Sequence, residues 1–165
     1  MSEVSEKYVN YVFENKENDA AFRAAMKNAT KDNLEWKAWP YIERFIGDIN
    51  NKDKRHIYAL VGEAIAKSRK SSNGTLSFGK AMRAVQNDGG ESGDTSYSPR
   101  MARVLSFDDL DDLLDTFKQI LAFLDSRDIA LDYVAVLDDL LQARFEDSHE
   151  RLKARWASEY LRKEE

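Results

Sequence analysis

The sequence contains no cysteine, and of its 165 residues only two are histidine, two are proline and seven are glycine. Without cysteine the chain forms no disulfide, no thiolate metal site and no cysteine nucleophile. His56 and His149 lie far apart without the HExxH spacing of zinc enzymes, and no GxxxxGK[ST] phosphate-binding loop occurs. These absences exclude cysteine-based sites and known zinc and nucleotide-binding motifs, and we expect neither catalytic residues nor a cofactor.

Long apolar runs are also missing. No stretch reaches the roughly 18 consecutive apolar residues of a membrane-spanning helix. The first residues, MSEVSEKYVNYVF, lack the basic segment and apolar core of a secretory signal. We expect a protein that makes no membrane contact and resides in a reducing cytoplasm.

Charge is distributed unevenly, although the formal net charge is only −5. Residues 20–83 carry 13 Lys or Arg against 6 Asp or Glu, whereas residues 84–150 carry 5 against 16. A basic region inside an acidic chain makes nucleic acid a candidate partner, in spite of an isoelectric point near 5.2.

Helical periodicity accounts for nearly every segment, and strand-like alternation is not sustained anywhere. One predicted helix, in EWKAWPYIERFIGDI, has Trp36, Trp39, Ile42, Phe45 and Ile46 at helical spacing. The residues predicted to begin helices are Asn18 or Asp19, Asp53, Ser77, Ser98 followed by Pro99, and Ser106. The predicted fold is all-α, a two-lobed helical bundle of about seven to nine helices.

Glycine marks the predicted boundary between the lobes. Five of the seven glycines lie between Gly74 and Gly93, and the segment QNDGGESGDTSYS has no apolar period. Loops of this length inside a compact domain are usually functional or disordered. We predict an N-terminal lobe over residues 1–86, a flexible loop over 87–97 and a C-terminal lobe over 98–165, which together form one domain or two.

The acidic run DDLDDLLD admits two interpretations. Clustered carboxylates bind hard divalent cations, which makes a metal site one of them. The other is a solvated helix face, in which Asp108 and Asp109 complement the macrodipole in the first turn and the intervening leucines turn the remaining aspartates toward solvent. The pattern favours the solvated face.

The basic residues differ in how well their own helices explain them. Lys67, Arg69 and Lys70 follow a helix end, where cations are stabilising. Lys80, Arg83, Arg100 and Arg103 lie at helix beginnings, where cations gain nothing from the helix dipole. Phosphate groups would account for them, since Lys and Arg neutralise nucleic-acid backbone charge, and a solubilising surface is the alternative.

Several motifs, taken in order, resemble those of a known family. They are AAFRAAMK, KRHIYAL, SFGKAMRAV, SPRMARVLSFDDLDDLLDTFKQILAFL, IALDYVAVLDDLL and RLKARWASEYL. Together they cover almost the whole chain and resemble the CasB family, the small subunit of the type I-E CRISPR surveillance complex called Cascade. No single motif is diagnostic, and the ordered set carries the resemblance.

The resemblance implies a non-catalytic DNA-binding subunit. Its implied partners are the backbone and large subunits of Cascade, a second copy of itself in tandem, the DNA strands of the R-loop and, indirectly, the crRNA. The resemblance also implies that the subunit holds the DNA after guide pairing, while a recruited helicase–nuclease cuts it.

The basic surface implied by the resemblance transfers to positions within most of the matching motifs and, for Arg144, to a position near the last motif. These positions are Arg23, Lys27, Arg55, Lys80, Arg83, Arg100, Arg103, Lys118, Arg144, Lys153 and Arg155. The aspartates at 108–115 stand close to where relatives can be basic. Their charge favours the N-terminal lobe for DNA contact or, alternatively, an acidic face that docks on basic subunits.

Two other functions remain open from the residues alone. One is an acidic helical interaction module that binds protein and never contacts nucleic acid. The other is a helical hydrolase with a carboxylate-bound metal, which the absence of paired E-x-x-E/D ligand motifs on facing helices disfavours.

Overall fold

A computed structural model of the protein describes residues 2–88 and 97–162. These ranges contain nine α-helices and two single-turn 3-10 helices, and their β-structure is limited to one isolated parallel bridge between Leu76 and Leu131. The α-helices are α1 (Ser2–Asn18), α2 (Ala20–Met26), α3 (Trp39–Ile46), α4 (Lys52–Lys67), α5 (Phe78–Asp88), α6 (Pro99–Leu105), α7 (Leu110–Ser126), α8 (Tyr133–Gln142) and α9 (His149–Leu161). The prediction of an all-α fold with seven to nine helices is confirmed.

Side-chain caps fix several of the helix starts. Asp19 accepts a hydrogen bond from Phe22 N at 3.1 Å, and Ser98 accepts one from Met101 N at 3.1 Å with Pro99 following, as predicted. Two predicted caps are wrong. Asn51, rather than Asp53, caps α4, and Asp109, rather than Ser106, caps α7.

Backbone conformation explains why Asn51 and Asp109, rather than the predicted residues, cap these two helices. Asn51 and Asp109 have extended backbones and accept hydrogen bonds from the amides three residues later. Ser106 instead ends α6, and its hydroxyl donates to the carbonyl of Arg103. The aspartates of the first turn of α7 are therefore Asp111 and Asp112, rather than Asp108 and Asp109.

The chain divides into two compact units. Unit 1 comprises Met1–Asn73 and Tyr133–Leu141, and unit 2 comprises Gly74–Asp132 and Gln142–Glu165. These units do not coincide with the predicted lobes, because α5 belongs to unit 2 and most of α8 belongs to unit 1. Most of the predicted loop 87–97 lies outside the described residues.

Unit 1 is organised around a cluster of aromatic rings. Tyr8 on α1 contacts Phe45 and Tyr58 edge to face, with ring centroids 5.1 and 4.7 Å apart, and its buried hydroxyl donates to the carbonyl of Tyr58 at 2.7 Å. Burial raises the pKa of Tyr8. Trp36, predicted to share the apolar side of α3, instead lies on a preceding 3-10 turn with 56% of its surface exposed.

Unit 2 has its own aromatic core, centred on Trp156 of α9. This indole is surrounded by Phe78 of α5, Phe117 of α7 and Phe107 of the segment between α6 and α7, with centroid distances between 5.4 and 6.5 Å. All four side chains are at most 2% exposed. The core holds α5, α7 and α9 together and so fixes helices that carry several of the predicted cations.

Gly79 allows α5 and α9 to approach closely. A Cβ at this position would lie 2.6 Å from both the Trp156 carbonyl oxygen and Glu159 Cβ, closer than real side chains pack. The approach places Glu159 Oε1 3.2 Å from Gly79 N and 3.0 Å from Ser77 Oγ, both of which donate to it. The start of α5 is thus capped by a carboxylate from α9.

A buried lysine performs a comparable task in unit 1. Lys16 of α1 is only 3% exposed, and its ammonium group donates to the carbonyls of Ile65, Ser68 and Lys70 at 2.9, 2.9 and 2.6 Å. These carbonyls lie at and just beyond the end of α4, where helices leave oxygens without internal partners. The lysine therefore ties α1 to the end of α4.

Replacing Lys16 with Met is expected to lower the free energy of unfolding by about 3 kcal/mol, because buried carbonyls are deprived of a charged donor. Lys7→Met is the matched control. Lys7 lies on the same helix, is exposed and faces Glu3 across 3.8 Å, so its replacement is expected to cost less than about 0.5 kcal/mol. Urea denaturation at unchanged slope measures both values, and equal destabilisation of the two variants would contradict the assigned role.

No helix in the described ranges combines the length and the apolar character needed to cross a bilayer.

Candidate nucleic-acid interface

The predicted cations are distributed over both units. Arg23, Lys27 and Arg55 belong to unit 1, and the remainder belong to unit 2. What each charged group already contacts within its unit decides how freely it can bind an external anion.

Four of the predicted cations donate to backbone carbonyls of their own unit and are half-buried. Arg23 donates to the carbonyl of Lys16, and Arg55 donates to that of Ile49. Arg83 donates to the carbonyl of Tyr160, and Lys153 donates to that of Phe107. Arg83 thereby satisfies an oxygen in the last turn of α9, where a cation also complements the helix dipole. These four groups have structural tasks that the sequence pattern did not reveal.

Arg103 is exposed but engaged. Its guanidinium donates to both carboxylate oxygens of Asp112, at 2.5 and 3.3 Å, in a fork-to-fork pair. This hydrogen bond lowers the pKa of the Asp112 carboxyl, and it raises the pKa of the Arg103 guanidinium. A phosphate group that binds Arg103 must therefore compete with a carboxylate of the same unit.

Three further predicted cations are Lys118, Arg144 and Arg155. Lys118 and Arg155 are exposed, and Arg144 lies over the ring of Phe145 at 4.8 Å. Phe145 is itself 56% exposed, so this pair forms a cationic and aromatic patch at the surface of unit 2.

Lys27, Lys80 and Arg100 differ from the others, since no residue in 2–88 or 97–162 accepts a hydrogen bond from their charged groups. All three are exposed. The Arg100 guanidinium lies 3.6 Å from the centroid of the Phe123 ring, close enough to rest against the ring face. Its donors are therefore held in place and available to a ligand.

Two grooves of unit 2 share Arg100. The first, the α6–α7 groove, has a volume of about 280 Å³ and is lined by Pro99, Arg100, Arg103, Asp115, Thr116, Gln119 and Ile120. The second, the Phe123 groove, has a volume of about 190 Å³ and is lined by Met82, Val85, Gln86, Ser98, Arg100, Phe123 and Arg127. Among these lining residues, a carboxylate occurs only in the first groove.

Arg127 was not among the predicted cations. Its guanidinium lies 5.1 Å from the centroid of Phe123, the same ring that Arg100 covers. Phe123 and Arg127 are four residues apart, and this spacing places them on one face of a helix. The spacing is the feature of the sequence from which the contact could have been predicted. Arg127 lies at the end of α7, where a cation stabilises the helix dipole. The sequence-based prediction favoured cations at helix beginnings and therefore did not include this residue.

The acidic run has structural tasks as well. Asp109 caps α7 and Asp112 binds Arg103, while Asp108 and Asp111 are exposed. Within the described ranges, no group of three or more histidine, aspartate or glutamate side chains is arranged to hold a metal ion. The exposed Asp108 and Asp111 agree with the solvated-face interpretation, whereas Asp109 and Asp112 have roles in capping and ion pairing that this interpretation did not include.

Comparison with solved structures finds folds similar to this one. One chain, from a structure described as "CRISPR RNA-guided surveillance complex", has a TM-score of 0.75 and 18% identity, over 96% of this chain and 91% of that chain. A Cse2-family CRISPR-associated protein from Thermus thermophilus has a TM-score of 0.70 and 22% identity, over 94% and 96%. CasB from Thermus thermophilus has a TM-score of 0.67 and 22% identity over the same shares.

A comparison with curated proteins finds no match. A family model described as "CRISPR-associated protein Cse2" matches residues 19–161, which is most of the sequence. The predicted resemblance to the CasB family is confirmed, and the chain belongs to the Cse2 family of CRISPR-associated proteins.

Proposed function

We propose that this protein is a non-catalytic subunit of a CRISPR RNA-guided surveillance complex and that it binds the DNA backbone to stabilise the R-loop. Family membership and the similar fold of a chain from such a complex support the assembly. The exposed guanidinium of Arg100, seated on Phe123 between two grooves without an acceptor among the described residues, carries the DNA-binding part.

The chemistry of guide-directed recognition suits such a subunit. Base pairing with the guide reads the sequence, so the protein has only to hold backbone charge and shape. The exchange of a DNA duplex for an RNA–DNA duplex is nearly balanced in free energy, and a few phosphate contacts are enough to favour it. Lys27, Lys80 and Arg100 are exposed cations that meet this need.

The acidic surface has a separate role in this proposal. Residues 84–150 carry 16 acidic residues against 5 basic ones, and Asp108 and Asp111 are exposed. Exposed aspartates repel DNA and attract basic protein surfaces. We therefore assign the exposed aspartates around the start of α7 to contacts with the other subunits of the complex or with a second copy in tandem, and the three exposed cations to DNA.

A tagged chain recovered from its native cells is expected to retain several other proteins and a guide RNA of uniform length. Mass spectrometry and RNA sequencing of the recovered material measure this outcome. Recovery of the chain by itself, under gentle extraction and at low salt, would contradict membership of an RNA-guided complex.

Arg100→Gln and Lys80→Gln are each expected to weaken binding of the assembled complex to single-stranded DNA. The slope of log affinity against log salt concentration should become shallower by about 0.7 for each phosphate group that the variant no longer neutralises. Fluorescence anisotropy at several salt concentrations measures the slope.

Lys7→Gln is the control for these two variants, because it makes the same charge change at an exposed position outside the predicted set. It is expected to leave the slope unchanged. If the variants at Arg100 and Lys80 match the unmodified complex while the guide RNA is still retained, the protein acts as an interaction module that does not contact nucleic acid.

Asp112→Asn is expected to strengthen DNA binding, because it weakens the carboxylate that competes for Arg103. The salt slope should steepen by about 0.7 as Arg103 binds one more phosphate group. The measurement is the same anisotropy titration.

Asp111→Asn provides the matched comparison, since it removes the same charge from the same turn of α7. It is expected to change affinity slightly and the slope not at all. Identical effects of the two substitutions would show that general repulsion, rather than release of Arg103, governs binding.

A further inference from the structure

The Phe123 groove combines features that separate it from a surface that only attracts phosphate. It is lined by two arginines and by apolar side chains from α5 and α7, and no carboxylate occurs among its described lining residues. The surrounding sequence is strongly acidic, since residues 84–150 contain only five Lys or Arg. Two of these five, Arg100 and Arg127, lie over one aromatic ring.

Arg100 presents a flat surface to this groove. A guanidinium 3.6 Å from the ring centroid rests on the ring, so its opposite face points away from Phe123. Guanidinium planes and aromatic rings are the surfaces on which proteins stack unpaired nucleobases. The ring of Phe123 orients this plane, and the described residues leave its in-plane donors without acceptors.

Gln86 adds a polar group to the same groove. Its Oε1 is buried and has no hydrogen-bond partner among the described residues. A buried amide oxygen without a donor is costly, and a ligand that supplies an N–H group removes the cost. Every nucleobase carries such a group on its pairing edge, as an exocyclic amino group or as the N–H of a ring nitrogen.

The size of the groove limits the ligand. Its volume of about 190 Å³ is below the roughly 300–1,000 Å³ of pockets that enclose drug-sized molecules. A single heterocycle fits this space, whereas a base pair does not. A base in this groove would keep its own phosphate group at the surface, where Arg127, a lining residue of the groove, could bind it.

We propose that the Phe123 groove captures one unpaired nucleotide of a single-stranded nucleic acid. The base stacks on the Arg100 guanidinium, Gln86 Oε1 accepts a hydrogen bond from its edge, and Arg127 binds the adjoining phosphate. This assignment rests on the proposed nucleic-acid binding and adds to it a contact with the base itself, independent of base identity.

The experiment compares two oligonucleotides of about twelve residues, one of thymidine and one of the same backbone without bases. The full-length protein is titrated with each at low ionic strength, where phosphate contacts are least screened. The thymidine strand is expected to bind about tenfold more tightly, from the stacking of one base. Salt slopes should be equal, because both strands carry the same phosphates.

Arg100→Lys is the decisive variant, since it keeps the charge and removes the planar group. It is expected to bind both strands alike, at the affinity of the unmodified protein for the strand without bases. Phe123→Leu removes the ring beneath the guanidinium and is expected to act in the same direction. Trp36→Leu, which removes an exposed aromatic of unit 1, is expected to leave the tenfold preference intact.

The possible results separate the two proposals. Binding of neither strand, by the free protein or by the assembled complex, would overturn the proposed nucleic-acid function itself. Equal binding of both strands by the unmodified protein would leave phosphate binding in place and overturn base capture. A preference that survives Arg100→Lys but disappears in Trp36→Leu would show that bases stack on unit 1 and not in the Phe123 groove.

Discussion

The contact between α5 and α9 at Gly79 governs the arrangement of unit 2. With no Cβ at this position, the backbone of α5 approaches the Trp156 carbonyl, and the Glu159 carboxylate reaches the start of α5. That carboxylate places negative charge at a helix start whose first turn carries Lys80, with Arg83 in the turn that follows. In return, Arg83 donates to the carbonyl of Tyr160, so each helix satisfies an end of the other.

These contacts between α5 and α9 explain why one of two neighbouring cations is available to an external anion and the other is not. Lys80 and Arg83 lie one turn apart, yet Arg83 is half-buried and bonded to α9, while Lys80 is exposed. The same division occurs on α6, where Arg103 is paired with Asp112 and Arg100 rests on Phe123. The surface available to an anion is therefore much smaller than the number of Lys and Arg residues suggests.

Local chemistry allowed much of the fold to be predicted. The Ser98–Pro99 start and the apolar stripe of α7 depend on residues a few positions apart, and such patterns are visible in a sequence. Ser106 and Asp109 both precede that stripe and either can cap, so only the backbone conformation decides between them. The partners of Lys16, Arg83 and Glu159 are some 50 to 80 residues distant, and a charge pattern does not name a partner at that range. The sequence therefore predicted the candidate cations without distinguishing those bonded within their own unit from Lys27, Lys80 and Arg100, whose charged groups have no acceptor among the described residues.

The order in which the chain visits the two units limits how the protein can be divided. The polypeptide leaves unit 1 after Asn73, returns for Tyr133–Leu141 and leaves again, so each unit is built from separated stretches. A nick in the 87–97 segment yields two fragments that each contain part of both units. A cut at any single point of the chain therefore leaves at least one unit divided between the two fragments. Isolating one unit for study therefore requires joining its two stretches with a new linker, since the stretches of the two units alternate along the chain.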